Sequence, residues 1–131
     1  MMETPEQPPE DLLDPEQIQM LLETGADDSM DLFNEILALF EEESSAKFDE
    51  MKATREKGDY EGFSRAAHAL AGSSANIGGR AVWLMARDME NLCKGGQPEK
   101  AIVMLPELER LYNRTLLEMK DFAKQAQSGE A

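Results

Sequence analysis

Residues 63–79 of the chain read FSRAAHALAGSSANIGG. His68, the only histidine, lies in this stretch. Apolar and small residues recur around it with the period of an α-helix and would line one side of that helix; they are Phe63, Ala66, Ala67, Leu70, Ser74 and Ile77. At about 100° per residue, His68 lies roughly 140° from the centre of this stripe. The spacing therefore predicts a helix that buries one side and presents its histidine on the other.

Small residues surround His68 on its own side of this helix. They are Gly72, Ala75 and Gly79, with Ser64 and Ala71 at the near edge of the patch. A glycine within a helix costs about 1 kcal/mol relative to alanine, so Gly72 requires a reason. Close approach of another protein to the imidazole is such a reason.

The rest of the chain also shows helical periodicity. Asp14 and Pro15 form a typical helix start, with a capping aspartate before a proline in the first turn. Predicted helices cover about residues 15–24, 29–56, 60–77, 80–94 and 98–124, and Pro106 should kink or divide the last of them. Residues 1–13 and 125–131 are predicted as flexible tails around one helical domain, residues 14–124. We therefore predict an all-α fold, an antiparallel up-and-down four-helix bundle with a short additional N-terminal helix.

The 131 residues carry a formal net charge of −14, which disfavours several kinds of partner. Nucleic-acid-binding proteins need basic patches, and anionic membranes repel an acidic chain. The longest apolar run, residues 101–105, is too short to span a bilayer, and the N-terminus lacks the pattern of a secretory signal. Cys93 is the single cysteine, so no internal disulfide can form. We expect a cytoplasmic monomer that binds neither nucleic acid nor membrane.

His68 and Glu90 are the candidate catalytic pair. A neutral imidazole is an effective nucleophile. Glu90 follows 22 residues later on the next predicted helix, roughly 120° from the centre of its apolar stripe. A carboxylate bonded to Nδ1–H would orient the ring and leave Nε2 free to attack. The less specific interpretation is a surface histidine beside a solvated glutamate, and the small-residue patch argues against it.

Residues 68–78, HALAGSSANIG, resemble the signature of histidine-containing phosphotransfer domains of bacterial two-component phosphorelays. The similarity in helix pattern extends over about residues 14–122. It implies a four-helix bundle that acts as a phosphocarrier and is not an ATP-using kinase. It also implies that His68 accepts a phosphoryl group from a receiver-domain aspartate, or from a kinase, and passes it to another receiver aspartate. Glu90 stands where such domains often have a Glu or Gln that bonds to the imidazole.

The resemblance also implies the partners, which are receiver domains of response regulators or a hybrid histidine kinase. The divalent metal, Mg²⁺, would belong to the receiver, and the chain itself needs no cofactor. The sequence has neither a spaced Cys/His set for a metal nor a glycine-rich nucleotide motif. The receiver should dock over the small-residue patch; the predicted partner-binding residues are Ser64, Ala71, Gly72, Ala75, Gly79, Arg87 and Lys94.

Ala71 departs from the family pattern, which usually has a lysine three residues after the histidine that is thought to neutralise the phosphoryl group. Lys94 and Arg87 could supply the missing charge, or they could pair with Glu90 as ordinary i,i+4 and i,i+3 partners. Further alternatives stay open. The chain could bind receivers without carrying phosphate, or it could be a plain helical interaction module in which His68 is incidental. A hydrolytic or metal enzyme is a more distant alternative, because only Glu90 is available to converge on the histidine.

Overall fold

The computed structural model describes residues 12–24 and 29–129 of the chain. Within these ranges every regular element is helical: α1 is Pro15–Thr24, α2 is Ser29–Lys57, α3 is Tyr60–Ile77, α4 is Arg80–Lys94, α5 is Pro98–Ile102 and α6 is Leu105–Gly129. The predicted all-α fold is confirmed. None of the described helices combines the length and the apolar character that crossing a bilayer requires.

The four longer helices form the predicted bundle. Helix α3 packs between α2 and α4, and α6 closes the bundle by packing against both α2 and α4. Two tight turns reverse the chain on either side of α3, and each contains a glycine in the left-handed conformation, Gly58 at φ 73° and Gly78 at φ 91°. A residue with a Cβ is strained in this conformation, which explains why glycine occupies both positions.

The core is built from the apolar stripes of the helices. Its largest completely buried side chains include Phe33, Met51, Phe63, Leu70, Met89, Leu108 and Met119. Burying a side chain of this size stabilises the fold by about 1.5–3 kcal/mol. Three aromatic rings join α2 to α6, because Tyr112 lies 4.9 Å from Phe48 and 5.8 Å from Phe40, measured between ring centroids. The periodicity of the sequence correctly identified which side of α2, α3 and α6 is buried. On α4, Glu90 was expected to be partly accessible, because it lies well off the apolar stripe, but it is buried.

Helix α1 covers the end of the bundle where α3 stops. Asp14 caps it, since Oδ1 of Asp14 accepts a hydrogen bond from the backbone N–H of Glu16. The backbone N–H of Asp14 donates to the carbonyl of Gly78 at 2.8 Å, and Nε2 of Gln17 donates to the carbonyl of Asn76 at 2.8 Å. The start of α1 is therefore held against the last turn of α3.

The predicted helix 98–124 is divided, which is one of the two outcomes expected at Pro106. Pro106 lies in the first turn of α6, where its missing N–H breaks no helical hydrogen bond. The structure differs from the predicted boundaries in two places. Helix α6 extends to Gly129, beyond the predicted end at Lys124. Leu12 was predicted to belong to a flexible tail, but it is buried, so the packed domain includes it. The remaining tail residues, 1–11 and 130–131, lie outside the described residues.

Candidate functional site

His68 projects from the middle of α3 into solvent. Helix α3 begins where Oδ1 of Asp59 accepts a hydrogen bond from the backbone N–H of Gly62, and its inner side is anchored by completely buried residues such as Phe63 and Leu70. These contacts fix the rotation of the helix about its axis. As a result the His68 side chain is 72% exposed.

Glu90 approaches His68 from the neighbouring helix α4. Oε2 of Glu90 lies 2.9 Å from Nδ1 of His68, although the glutamate itself is only 7% exposed. An ionised carboxylate can only accept hydrogen bonds, so Nδ1 carries the proton in this pair. In the neutral ring the lone pair is then on Nε2, the nitrogen that is free to react. The geometry is that of an oriented imidazole whose side chain is accessible to solvent.

Lys94 binds the same carboxylate oxygen. Its Nζ lies 2.9 Å from Oε2 of Glu90, one helical turn further along α4. Burial raises the pKa of Glu90, but the hydrogen bonds from Lys94 and His68, together with the positive charges of those residues, outweigh it and hold the pKa below the ordinary value of 4.5. Glu90 is therefore ionised at neutral pH.

This ion pair predicts a pH dependence of stability. The pKa of Glu90 is lower in the folded protein than in the unfolded chain, so its charge stabilises the fold above pH 4.5, and that stabilisation is lost as the pH falls through the folded-state pKa. The variant Glu90→Gln has no such charge. We expect the difference in free energy of unfolding between the parent protein and Glu90→Gln, measured by urea titration, to shrink as the pH is lowered through the range around and below 4.5. A difference that is constant over this range would contradict the assignment.

The predicted patch around His68 is only partly open. Gly72 is exposed, and a Cβ added there would meet no atom within 4 Å. Ser64 and Ala75 are half-buried. Ala71 differs from the expectation, because it is only 6% exposed and belongs to the apolar core.

Gly79 also requires a correction. It is buried at the start of α4, and a Cβ added there would point at α6, 3.5 Å from Cγ2 of Thr115 and 3.7 Å from Cε of Met119. The prediction extended the period of α3 through Gly79, but the left-handed Gly78 ends that period and redirects the chain. A docked partner cannot contact Ala71 or Gly79 directly while both stay buried.

The two cations predicted near the site have different surroundings. Lys94 pairs with Glu90, whereas the guanidinium of Arg87 stacks over the ring of Trp83, 5.5 Å from its centroid. Arg87 is exposed and remains on the same flank of α4. Of the two i,i+3 and i,i+4 pairs that were considered, the structure forms the one with Lys94.

A groove between the first turns of α3 and the end of α4 was not predicted. It has a volume of about 420 Å³ and is lined by Tyr60, Glu61, Ser64, Arg65, Cys93 and Lys94. The Cys93 thiol in this groove is partly buried. Its burial and, to a smaller extent, the nearby charge of Glu90 raise its pKa above the ordinary value. The four-residue spacing of Tyr60, Ser64 and His68 was the signal that could have identified this surface. Within the described ranges, no group of three or more His, Cys, Asp or Glu side chains is placed to hold a metal ion.

The model of the Hpt domain family matches residues 35–126, which is most of the chain. This chain belongs to the Hpt family. The match begins within α2 and ends within α6, so it covers the whole of α3 and α4 and includes His68 and Glu90. Membership supports histidine phosphotransfer in a phosphorelay as the functional class, in which the Hpt domain is a phosphocarrier.

Solved structures show the same architecture as this Hpt domain. Histidine-containing phosphotransfer protein B from Pseudomonas aeruginosa is similar with a TM-score of 0.77 at 20% identity, over 87% of this chain and 96% of that one. A histidine-containing phosphotransfer protein from Medicago truncatula is similar with a TM-score of 0.73 at 23% identity, over 93% of this chain and 86% of that one. At these identities the similarity shows the fold. No curated protein sequence matches this Hpt domain significantly.

Proposed function

We propose that His68 carries the phosphoryl group in a phosphorelay, accepting it from an aspartyl phosphate on a receiver domain and passing it to an aspartate of another receiver. The observation that carries this proposal is the bond between Nδ1 of His68 and the buried carboxylate of Glu90 beneath an exposed ring. Because Nδ1 is occupied by this bond, the proposal assigns Nε2 of the exposed ring as the reactive atom. Membership of the Hpt family supports the same assignment.

The transfer step needs one bond to form and one to break. Nε2 of His68 attacks the phosphorus in line, the bond from phosphorus to the acyl oxygen breaks, and the receiver carboxylate leaves with the electron pair. The proton on Nδ1 stays there, so positive charge develops on the ring as the bond to phosphorus forms. The carboxylate of Glu90 lies 2.9 Å from Nδ1 and stabilises that charge. The return step is the same reaction in reverse.

The receiver would approach over the open part of the patch. Gly72 is one helical turn from His68, Ser64 and Ala75 flank this part of α3, and Arg87 is exposed on the neighbouring α4. Phosphoryl transfer depends mainly on positioning and on neutralising charge, and Mg²⁺ with the remaining catalytic groups would be supplied by the receiver. The Hpt domain contributes the oriented nucleophile.

The proposal is tested by incubating the protein with receiver domains from the same cell, phosphorylated by a small acyl phosphate. We expect acid-labile, base-stable labelling of the parent protein, typical of phosphohistidine, and none of the variant His68→Gln. Receiver binding is measured in parallel without phosphate. Equal labelling of His68→Gln would place the phosphoryl group elsewhere. If the protein binds receivers but is never labelled, it is a phosphate-independent receiver-binding module. If it is neither labelled nor bound by receivers, it is a helical interaction module with another partner.

A further inference from the structure

We propose that Lys94 is a further catalytic residue for this reaction, which exchanges its ion pair with Glu90 for one with the phosphoryl group on Nε2 of His68. The inference rests on the proposed function and adds a residue on α4 to it. It assigns to Lys94 the positive charge that the family usually has three residues after the histidine, where this chain has the apolar and buried Ala71.

The first support is the oxygen that two donors share. Nδ1 of His68 and Nζ of Lys94 each lie 2.9 Å from Oε2 of Glu90. The ammonium and the imidazole are therefore separated by at most twice that distance. A lysine so placed needs only to rotate about its side-chain bonds to approach a group attached to the ring.

The second support is the contrast in exposure between the two members of the Lys94–Glu90 pair. The Lys94 side chain is 66% exposed, whereas that of Glu90 is 9% exposed. Lysine carries a compact charge on a flexible four-carbon stem, so its ammonium can move while the carboxylate stays in place. Lys94 also lines the groove that runs past Ser64, on the side of α3 from which His68 projects.

The neighbouring cations are less suitable. The guanidinium of Arg87 is stacked over the ring of Trp83. Arg65 lies 3.8 Å from Glu61 in a pair whose members are both largely exposed. Among the residues that the structure describes, Lys94 is the cation bonded to the carboxylate that holds His68.

The exchange of partners by Lys94 would change the surroundings of the phosphoryl group on Nε2 and those of the Glu90 carboxylate at Nδ1. A phosphoryl group brings negative charge beside an ionised carboxylate, and Lys94 would offset the repulsion. When Lys94 leaves Oε2, Glu90 is free to interact more strongly with the Nδ1–H of the phosphorylated ring, whose positive charge has increased. No proton or bond moves at Lys94 itself, which acts by charge alone.

The first experiment compares transfer rates at saturating phosphorylated receiver. We expect Lys94→Met to lower the rate constant about tenfold, since an exposed charge contributes less than a fully desolvated one. Lys94→Arg should keep the rate within about threefold of the parent, because it restores the charge with a different shape. The matched control is Lys120→Met, which removes a lysine from its pair with Glu41, where α2 packs against α6, and should leave the rate unchanged. An unchanged rate in Lys94→Met, or a loss of receiver affinity alone, would overturn the inference.

A second experiment separates direct action on the phosphoryl group from action through Glu90. The substitution Lys94→Met is repeated in a Glu90→Gln background, where the ion pair with the carboxylate no longer exists. A further loss of rate supports direct action, and the absence of any further effect overturns it. Failure of the role proposed for Lys94 can be distinguished from failure of the proposed function of His68. If the parent protein is never labelled, both proposals fail; if the parent and Lys94→Met are labelled at equal rates, only the role of Lys94 fails.

Discussion

Replacing Gly72 with glutamine is expected to lower the rate of phosphoryl transfer about a hundredfold while the bundle stays folded. Gly72 is exposed one helical turn after His68, and a Cβ added there meets no atom of the protein within 4 Å. The new side chain would therefore project into the space that the receiver must occupy. Since in-line transfer requires close placement of the reacting atoms, a displacement of about 1 Å is enough for an effect of this size.

Stability should change in the opposite direction. Gly72 lies within a helix, where glycine is about 1 kcal/mol less favourable than alanine, so Gly72→Ala should raise the free energy of unfolding by about that amount. Gly72→Gln should raise it by about half as much. Urea denaturation measures both variants.

The matched control for Gly72→Gln is Ala46→Gln, which places the same side chain at an exposed position on α2. It should transfer at the rate of the parent protein. If Gly72→Gln also transferred at the parent rate with the same receiver, the docking surface would have been assigned to the wrong side of α3.

Replacing Gly78 with alanine is expected to cost about 3 kcal/mol of the free energy of unfolding. Part of this is the strain of a Cβ at φ 91°, about 1–2 kcal/mol. The remainder is steric, because the new Cβ would lie 2.8 Å from Cγ1 of Ile18 and 3.2 Å from the carbonyl oxygen of Asp14, and overpacking of this kind costs about 1–3 kcal/mol. The substitution therefore forces α1 away from the end of α3.

Gly58 provides the matched control for this substitution. It has a similar left-handed conformation at φ 73°, but a Cβ there would meet nothing within 4 Å. Gly58→Ala should therefore show the strain alone, about 1–2 kcal/mol. Urea denaturation of both variants gives the difference that is due to contact with α1. Equal losses in the two variants would show that α1 does not pack against Gly78.

A second-site change tests the steric part separately. The variant Ile18→Ala removes the Cγ1 that a Cβ at Gly78 would meet. Residues in contact show non-additive effects, so Gly78→Ala should cost less in the Ile18→Ala background than in the parent protein. Strictly additive losses would place the cost in the backbone strain alone.

The helices were predictable because their signals are local. Apolar residues three and four positions apart identified the buried side of α2, α3 and α6, and the Gly78–Gly79 pair identified the end of α3. The exposed position of His68 on α3 follows from the same periodicity. The division at Pro106 was anticipated as one of two outcomes, and the first-turn position of that proline explains why the chain breaks before it rather than kinking at it.

The errors at Ala71 and Gly79 share a cause. Helical periodicity gives the direction of a side chain around its own axis, but it does not give the distance to the neighbouring helix. Ala71 lies at the edge of the patch in projection, yet the packed bundle leaves it only 6% exposed. Gly79 was predicted to lie on the His68 side because the helical period of α3 was extended to it, but α3 ends before the left-handed Gly78.

Properties that depend on neighbours along the chain could be read from local sequence: the helix class, the caps, the turns and the outward direction of His68. The site itself depends on side chains from two helices. The bonds that join Oε2 of Glu90 to both Nδ1 of His68 and Nζ of Lys94 require α4 to have one particular rotation and spacing against α3. That rotation and spacing are set by the packing of the whole core, because interiors are close-packed and each helix can settle only where its stripe fits the others.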